Sequence, residues 1–210
     1  MLLNPSDLSI PDRYKLLIGG IVPRPIALVS TLSTSSQPNL APFSFFAGVG
    51  SNPMTLLFCP ATTPQGTEKD SLRNAKPLSE GGTGEFVVSV VPEVIAQQMA
   101  LCSAELPPHE SEWDLSKLTM APSIAVKPAR VAESPVAYEC RTLQVIRTNP
   151  HQPSSGNIVL GEVLRIHIRD DCLSGPPDKL HINPDAINLI GRMGAREYCR
   201  TRDRFSVQQP

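Results

Sequence analysis

The clearest periodicity runs from residue 157 to 169. Ile158, Leu160, Leu164, Ile166 and Ile168 occupy even positions, against Arg165, His167 and Arg169 on odd ones. A period of two predicts a half-buried strand. Val136 to Thr148 carries a similar pattern, with Val136, Tyr138 and Cys140 on one face, and the polar run Gln152 to Gly156 predicts that the two segments form a hairpin. Upstream, Ile26 to Leu32 is β-branched and apolar, bounded by Pro23 and Pro25 before it and by Ser33 to Pro38 after it. It reads as a strand followed by a turn. Residues 39–50 predict a second strand bent near Pro42, Met54 to Cys59 a third, and Glu85 to Val91 a fourth.

Helical signals are fewer. Glu68 to Ala75 predicts a short helix stopped by Pro77, and Pro92 to Ser103 a second with proline in its first turn. Asn183-Pro184-Asp185 caps a third, expected to end at Gly191. Residues 1–20 read as a lead-in. Residues 104–135, rich in Pro, Ser and Glu, predict an irregular excursion. These elements describe one domain over residues 1–210.

Composition sharpens this picture. The chain has 210 residues, 40% hydrophobic and 19% charged, as expected of a folded domain with a sizeable core. Its 22 prolines are about twice the usual ~5% share, which suits many short strands joined by loops better than a helical bundle. A net charge of −1 without a basic stripe argues against nucleic-acid binding. No apolar run approaches the ~20 residues a membrane span needs, and the acidic and basic N-terminus is not a secretory signal. Five cysteines without a C-x-x-C pair argue against a disulfide framework or a cysteine zinc site, and favour free thiols in the cytoplasm.

Candidate chemistry is equally selective. His109, His151, His167 and His181 show no metal-binding spacing, and no metal site is expected. The sequence holds no G-x-S-x-G, and no G-x-G-x-x-G follows a strand, so neither hydrolase nor Rossmann chemistry is favoured. Residues 22–76 differ. Hydroxyls sit at a strand end (Ser30, Thr31), small and polar residues on the next strand (Asn39, Ala41, Ser44), and Lys69, Ser71 and Asn74 open a predicted helix. A helix start, hydroxyl donors and a cation are groups that hold a phosphate tail, and small residues let a flat ring approach the backbone. Each piece also has a plainer explanation. Thr67 and Asp70 fit a capping box, Ser30 and Thr31 a turn, the phenylalanines an ordinary core, and Arg24 a surface loop.

The ordered blocks PRPIALVST (23–31), NLAPFSFF (39–46) and KDSLRN (69–74) resemble the flavin reductase-like family. More narrowly, they resemble its flavoprotein oxygenase branch, which includes the reductase component of nitrilotriacetate monooxygenase. GTGEFVVSVV (82–91), ESPVAYECRTLQVI from Glu133, IVLGEVLRIHI from Ile158 and LIGRMGAREYCR (189–200) extend the similarity over residues 10–200, and this resemblance sets the core of the domain at about 10–200.

The resemblance implies a mainly β fold, a Greek-key split β-barrel with a few short helices, and FMN at a homodimer interface. It implies Ser30 and Thr31 at the phosphate or ribityl chain, with Arg24 among the cofactor-binding residues. Asn39, Ala41, Pro42, Phe43 and Ser44 lie along the ring system, and Lys69, Asp70, Ser71 and Asn74 complete the phosphate end. Tyr198 and Arg192 line the ring or the substrate mouth. NADH or NADPH is the expected hydride donor, reduced flavin passes either to a partner oxygenase or to a bound acceptor, and no protein group is named as catalytic. A flavoenzyme acting directly on an organic substrate, a flavin-binding electron carrier or sensor without turnover, and a purely structural β-barrel interaction module are the alternatives. Ser89, where the family often has Asn, and Arg196-Glu197 before Tyr198 depart from the family pattern and bear on the substrate pocket.

Overall fold

Thirteen strands and five helices build the chain in a computed structural model that describes residues 1–107 and 110–208; His109 therefore lies outside the described residues. The strands are β1 (Ala27–Leu32), β2 (Pro38–Phe43), β3 (Phe46–Ser51), β4 (Met54–Phe58), β5 (Glu85–Val90), β6 (Met120–Ala121), β7 (Arg130–Val131), β8 (Val136–Arg147), β9 (Asn157–Ile168), β10 (Leu173–Ser174), β11 (His181–Ile182), β12 (Ile190–Arg192) and β13 (Tyr198–Arg200). The helices are α1 (Ile10–Gly20), α2 (Asp70–Ala75), α3 (Ala96–Leu101), α4 (Glu112–Ser116) and α5 (Pro184–Ile187).

Seven strands form one antiparallel sheet in the order β2-β1-β5-β8-β9-β4-β3. Strands β2 and β3 occupy its two edges, yet only Ser44 and Phe45 separate them in sequence. Laid flat, six inter-strand steps would hold those edges roughly 29 Å apart. The connection reaches only about 10 Å. The sheet must therefore curl until its edges meet, which makes a barrel with a split at β2 and β3. The single bent strand expected over 39–50 is thus two strands, broken at Ser44-Phe45 rather than bent at Pro42.

The curl gives each strand an inside and an outside. Along β1, Ala27 and Val29 join Phe58, Phe86, Val88 and Cys140 inside the barrel. Leu28, with Ile26 and Leu40, packs outside against Val91, Ile95, Met99, Trp113 and Val131. Both faces are covered, so β1 reads as a continuous apolar run rather than an alternating one. Inside, the Phe43, Phe58 and Phe86 rings stack in sequence, each neighbouring pair with centroids 5.1 Å apart. Gly161 on β9 leaves room for Phe86: a Cβ there would come within 2.4 Å of the ring. Helix α2 plugs one barrel end with Leu72 and Ala75, and the Thr142 hydroxyl donates to the Ala75 carbonyl at 2.5 Å.

Other expectations change. The lead-in contains α1, whose N-cap Ser9 accepts from the Asp12 N–H and donates to its carboxylate. Residues 104–135 are no free excursion: α4 and the β6–β7 ladder place Trp113, Leu118 and Val131 against the outer face of β1. The helix expected to run to Gly191 ends at Ile187, because Asn188 turns left-handed (φ 41°) and the chain re-enters as β12, paired with β13. The predicted helix over 92–103 begins as a 3-10 turn at Glu93–Ile95 and becomes α3.

Candidate functional site

The barrel end closed by α2 carries a polar floor. The side-chain amide of Asn39 donates to the Thr31 hydroxyl at 3.2 Å and to the Ser71 hydroxyl at 3.0 Å, while the amide of Asn74 donates to Thr31 at 3.1 Å. All four side chains are buried. Strand pairing sets Thr31 opposite Asn39, and the helical spacing of Ser71 and Asn74 brings both over them. A hydroxyl offers one donor and two acceptor sites. Thr31 accepts twice and Ser71 once, so each hydroxyl proton remains to be given away.

Asn39 and Ser71 line a cleft of about 330 Å³ with Ala41, Pro42, Phe43, Lys69 and Arg73. Lys69 is the N-cap of α2, exposed and without a side-chain cap bond. The capping-box explanation of Thr67 does not hold, because Thr67 bonds back to Thr63 instead. Two acidic neighbours are already neutralised. Asp70 pairs with Arg73, and Glu68 with Lys76 (2.9 Å) and Arg147 (2.8 Å). Burial works against ionisation of Glu68, but the hydrogen bonds and charges of Lys76 and Arg147 outweigh it and hold its pKa below the ordinary glutamate value.

Strand β2 forms one wall of the cleft and is an edge strand. The Leu40 N–H faces away from β1 and donates to Glu112 of α4 at 3.2 Å. Ladder alternation then turns Pro38 and Pro42 the same way, where no ladder donor is needed. Past Pro42, the Ser44 and Phe45 N–H groups enter no backbone hydrogen bond among the described residues. Arg24 holds this corner. It is 3% exposed, and its guanidinium donates to the Ser44 hydroxyl (3.2 Å) and to the carbonyls of Ile18 (2.6 Å), Ile21 (2.8 Å) and Met193 (2.9 Å). All of these partners are neutral. Burial, helped by repulsion from Arg192 and opposed by Tyr14, lowers its pKa from the ordinary arginine value. Arg24 is thus neither a surface residue nor part of the cleft lining; it places Ser44.

A second cleft of about 580 Å³ adjoins the first, sharing Pro42 and Ser103, and is walled by Tyr14, Ser44, Met99, Arg192, Arg196 and Tyr198. Together the clefts make a groove with a hydroxyl-and-amide end at α2 and a cationic end at the β12–β13 hairpin. Their volumes fall in the range of small-molecule sites.

Thr31, Asn39, Ala41, Pro42, Phe43, Ser44, Lys69, Asp70, Ser71, Asn74 and Tyr198 therefore surround one groove or its floor. Ser30 does not: it faces the other side of β1, with its hydroxyl on the Ala129 carbonyl. Sequence reasoning missed Arg73, Ser103 and Glu112. Arg73 lies inside a recognised block, but nothing local marks Ser103 or Glu112, which reach the groove through the outer packing of α3 and α4. Among the described residues no cluster could hold a metal ion, and no helix is long and apolar enough to cross a membrane.

Comparison with known proteins agrees with this geometry. Residues 19–183 match the flavin reductase like domain. An uncharacterized protein of Deinococcus radiodurans is 38% identical over 93% of this chain and 83% of its own length. The fold superposes on nitrilotriacetate monooxygenase component B from Bacillus cereus with a TM-score of 0.88 and 29% identity, covering 99% of this chain and 98% of the other. It superposes on the 2-nitrobenzoate 2-nitroreductase NbaA of Pseudomonas fluorescens with a TM-score of 0.85 and 29% identity, covering 100% and 96%. The split barrel, the groove and these matches identify the chain as a member of the flavin reductase-like domain family, a flavin-related oxidoreductase.

Proposed function

We propose that the groove binds FMN and that the protein is an NADH- or NADPH-dependent flavin reductase. The observation that carries this reading is the polar floor, where the Ser71 hydroxyl lines the cleft, is fixed by the Asn39 amide and has a proton left to give, with Thr31 bracing that amide from beneath. An oxygen-rich ribityl phosphate accepts such a proton, and Lys69 at the mouth supplies the positive charge. The edge of β2 offers a flat wall for the ring system, and Ser44, oriented by Arg24, stands at its end.

Flavin bound here supplies a hydride acceptor at N5 for the nicotinamide donor. The chain's own part is to hold and to polarise. Ser44 lines the groove and its N–H has no backbone partner among the described residues, so it would donate to an oxygen on which negative charge grows, and the buried Arg24 charge behind Ser44 would reinforce that donation. No side-chain nucleophile or general acid is required.

The surface of α1 supports a homodimer with flavin at its interface. Ile10, Tyr14, Leu17 and Ile21 are each about half exposed and form one apolar stripe at helical spacing, and Tyr14 is also part of the groove wall. A second copy seated on that stripe would close the groove. Reduced flavin would pass to a partner oxygenase, the role that the component B resemblance suggests. Five free cysteines suit a cytoplasmic site of action.

Anaerobic titration of FMN-loaded protein with NADH and with NADPH tests the reading. Bleaching of the flavin absorbance by at least one donor is expected. Tight flavin binding with no reduction by either would overturn the reductase assignment.

A further inference from the structure

The two ends of the groove differ sharply in charge. Four acids face the first cleft: Glu68, Asp70, Glu105 and Glu112. The second has Arg192 and Arg196 in its lining and no acid. Neighbouring arginines show that this is specific to the cleft. Of the five arginines after Leu189, Arg200 and Arg202 pair with Glu93, and Arg204 pairs with Asp185. Arg192 and Arg196, the two that face the cleft, have no carboxylate partner among the described residues. Arg192 gives one N–H to the Ala195 carbonyl and lies over the Tyr198 ring at 4.5 Å. Arg24, also without an acid, stands behind Ser44 of the same wall and is close enough to Arg192 for the two to repel. Three guanidinium groups gathered without a counter-charge create a positive potential that an organic anion can satisfy.

The remaining lining defines the rest of that ligand. Tyr14 and Tyr198 offer aromatic faces, Ile26, Met99 and Ala100 an apolar wall, and Gln97 and Ser103 neutral hydrogen-bonding groups. A planar ring with an anionic group at one edge satisfies both features. A planar guanidinium and a carboxylate match each other's geometry through paired N–H···O bonds.

We propose that the second cleft is a binding site for an aromatic carboxylate, with Arg192 and Arg196 taking the anion and the tyrosines flanking the ring. As the acceptor of reducing equivalents, such a ligand rests on the flavin reading above. Its binding does not, because every group invoked belongs to the chain.

Calorimetric titration of FMN-loaded and flavin-free protein with benzoate and with benzamide separates the two. Benzoate is expected to bind at least about tenfold more tightly than its neutral isostere, as a charge-assisted contact should give. Arg196→Gln is expected to remove most of that preference, and Arg196→Lys to retain part of it. Arg196 is exposed, and its substitution leaves the Arg24–Arg192 backbone pairing in place. Equal binding of benzoate and benzamide, or a preference untouched by Arg196→Gln, would overturn the proposal. So would displacement of benzoate by ADP at concentrations well below benzoate's own Kd, which would give the arginines to a nucleotide phosphate. Flavin absorbance of the same samples reports separately on the flavin reading. A benzoate preference in protein that fails to take up added FMN would keep the anion site and remove the flavin from beside it.

Discussion

The barrel and the segment that covers it, residues 104–135, hold their polar groups in opposite ways. In the barrel, backbone groups pair with each other along the ladders, and the polar floor is built from neutral amides and hydroxyls. In the covering segment, backbone N–H groups point at carboxylates. Glu139 takes those of Ile124 (2.8 Å), Ala125 (2.5 Å) and Val126 (3.2 Å), Glu133 takes that of Thr119, and Glu85 that of Lys127. In the reverse direction, Glu112 of the segment caps the Leu40 N–H of the barrel edge. The seam between the two regions therefore adds carboxylates, those of Glu139, Glu85 and Glu112, to the neutral bonds of Ser30, Ser89 and Ser134, whereas the binding floor itself is neutral. Acid should loosen the cover before it touches the barrel, and the cover includes part of the groove wall through Glu105, Leu106 and Glu112.

Two sets of substitutions sharpen the contrast, and the larger effect belongs to the barrel. Phe86→Ala removes a ring buried against Phe58 and Gly161, and is expected to cost about 3–5 kcal/mol in denaturant unfolding. Glu139→Ala should cost about 2–4 kcal/mol, capped by local release of the cover, because three backbone donors lose their acceptor at a fully buried site. Protease cleavage or amide exchange confined to 118–131, with the barrel intact, would show that release; uniform loss across the chain would break the contrast.

Glu139 also sets the pH dependence. Burial disfavours its charge, but the Ala125 and Ile124 N–H groups and His167, at 2.5 Å, outweigh it and lower the pKa from the usual 4.5. A lowered folded-state value means that the contribution is complete above the unfolded pKa and lost as pH falls through the folded one. Exchange in 118–131 should rise on acidification through that window, and the rise attributable to this group should vanish in Glu139→Gln. The smallest effect is expected from Glu112→Gln. It should cost about 1 kcal/mol, since the amide oxygen can still accept from Leu40 but without charge.

The same contrast explains what the sequence could show. Strands β1, β5 and β8 were legible because their apolar pattern follows their own burial, and the blocks that build the polar floor because Thr31, Asn39, Ser71 and Asn74 lie within recognisable motifs. Strand β9 was legible as a strand but not in its facing: the odd positions Val159, Gly161 and Val163 turn to the barrel interior, while Ile166 of the even set is 47% exposed. The break at Ser44-Phe45 was not legible, since Phe43 and Phe46 both pack toward the barrel interior and only the sheet order separates their strands. The neighbours Ser30 and Thr31 look like one hydroxyl pair in sequence, although strand alternation sends them to opposite faces. Helix α1 does leave a signal, Ser9-Ile10-Pro11-Asp12, a cap with proline in the first turn that a lead-in over 1–20 leaves unused. The cover leaves almost none, because glutamates that accept distant backbone N–H groups follow no period. Nor does anything near Arg24 announce that it is buried on the carbonyls of Ile18, Ile21 and Met193.

The most direct measurement is FMN affinity, by fluorescence quenching, of Lys69→Ala/Ser71→Ala beside the unaltered protein, with unfolding followed on both. A ligand whose phosphate sits on the α2 floor predicts an affinity lower by about tenfold or more, as removal of one charge-assisted hydrogen bond should give, with stability lowered by no more than about 1–3 kcal/mol, the cost to the buried Asn39 amide of losing its Ser71 acceptor. Unchanged affinity in a folded double variant would place the flavin elsewhere and leave the Ser71 network as packing alone.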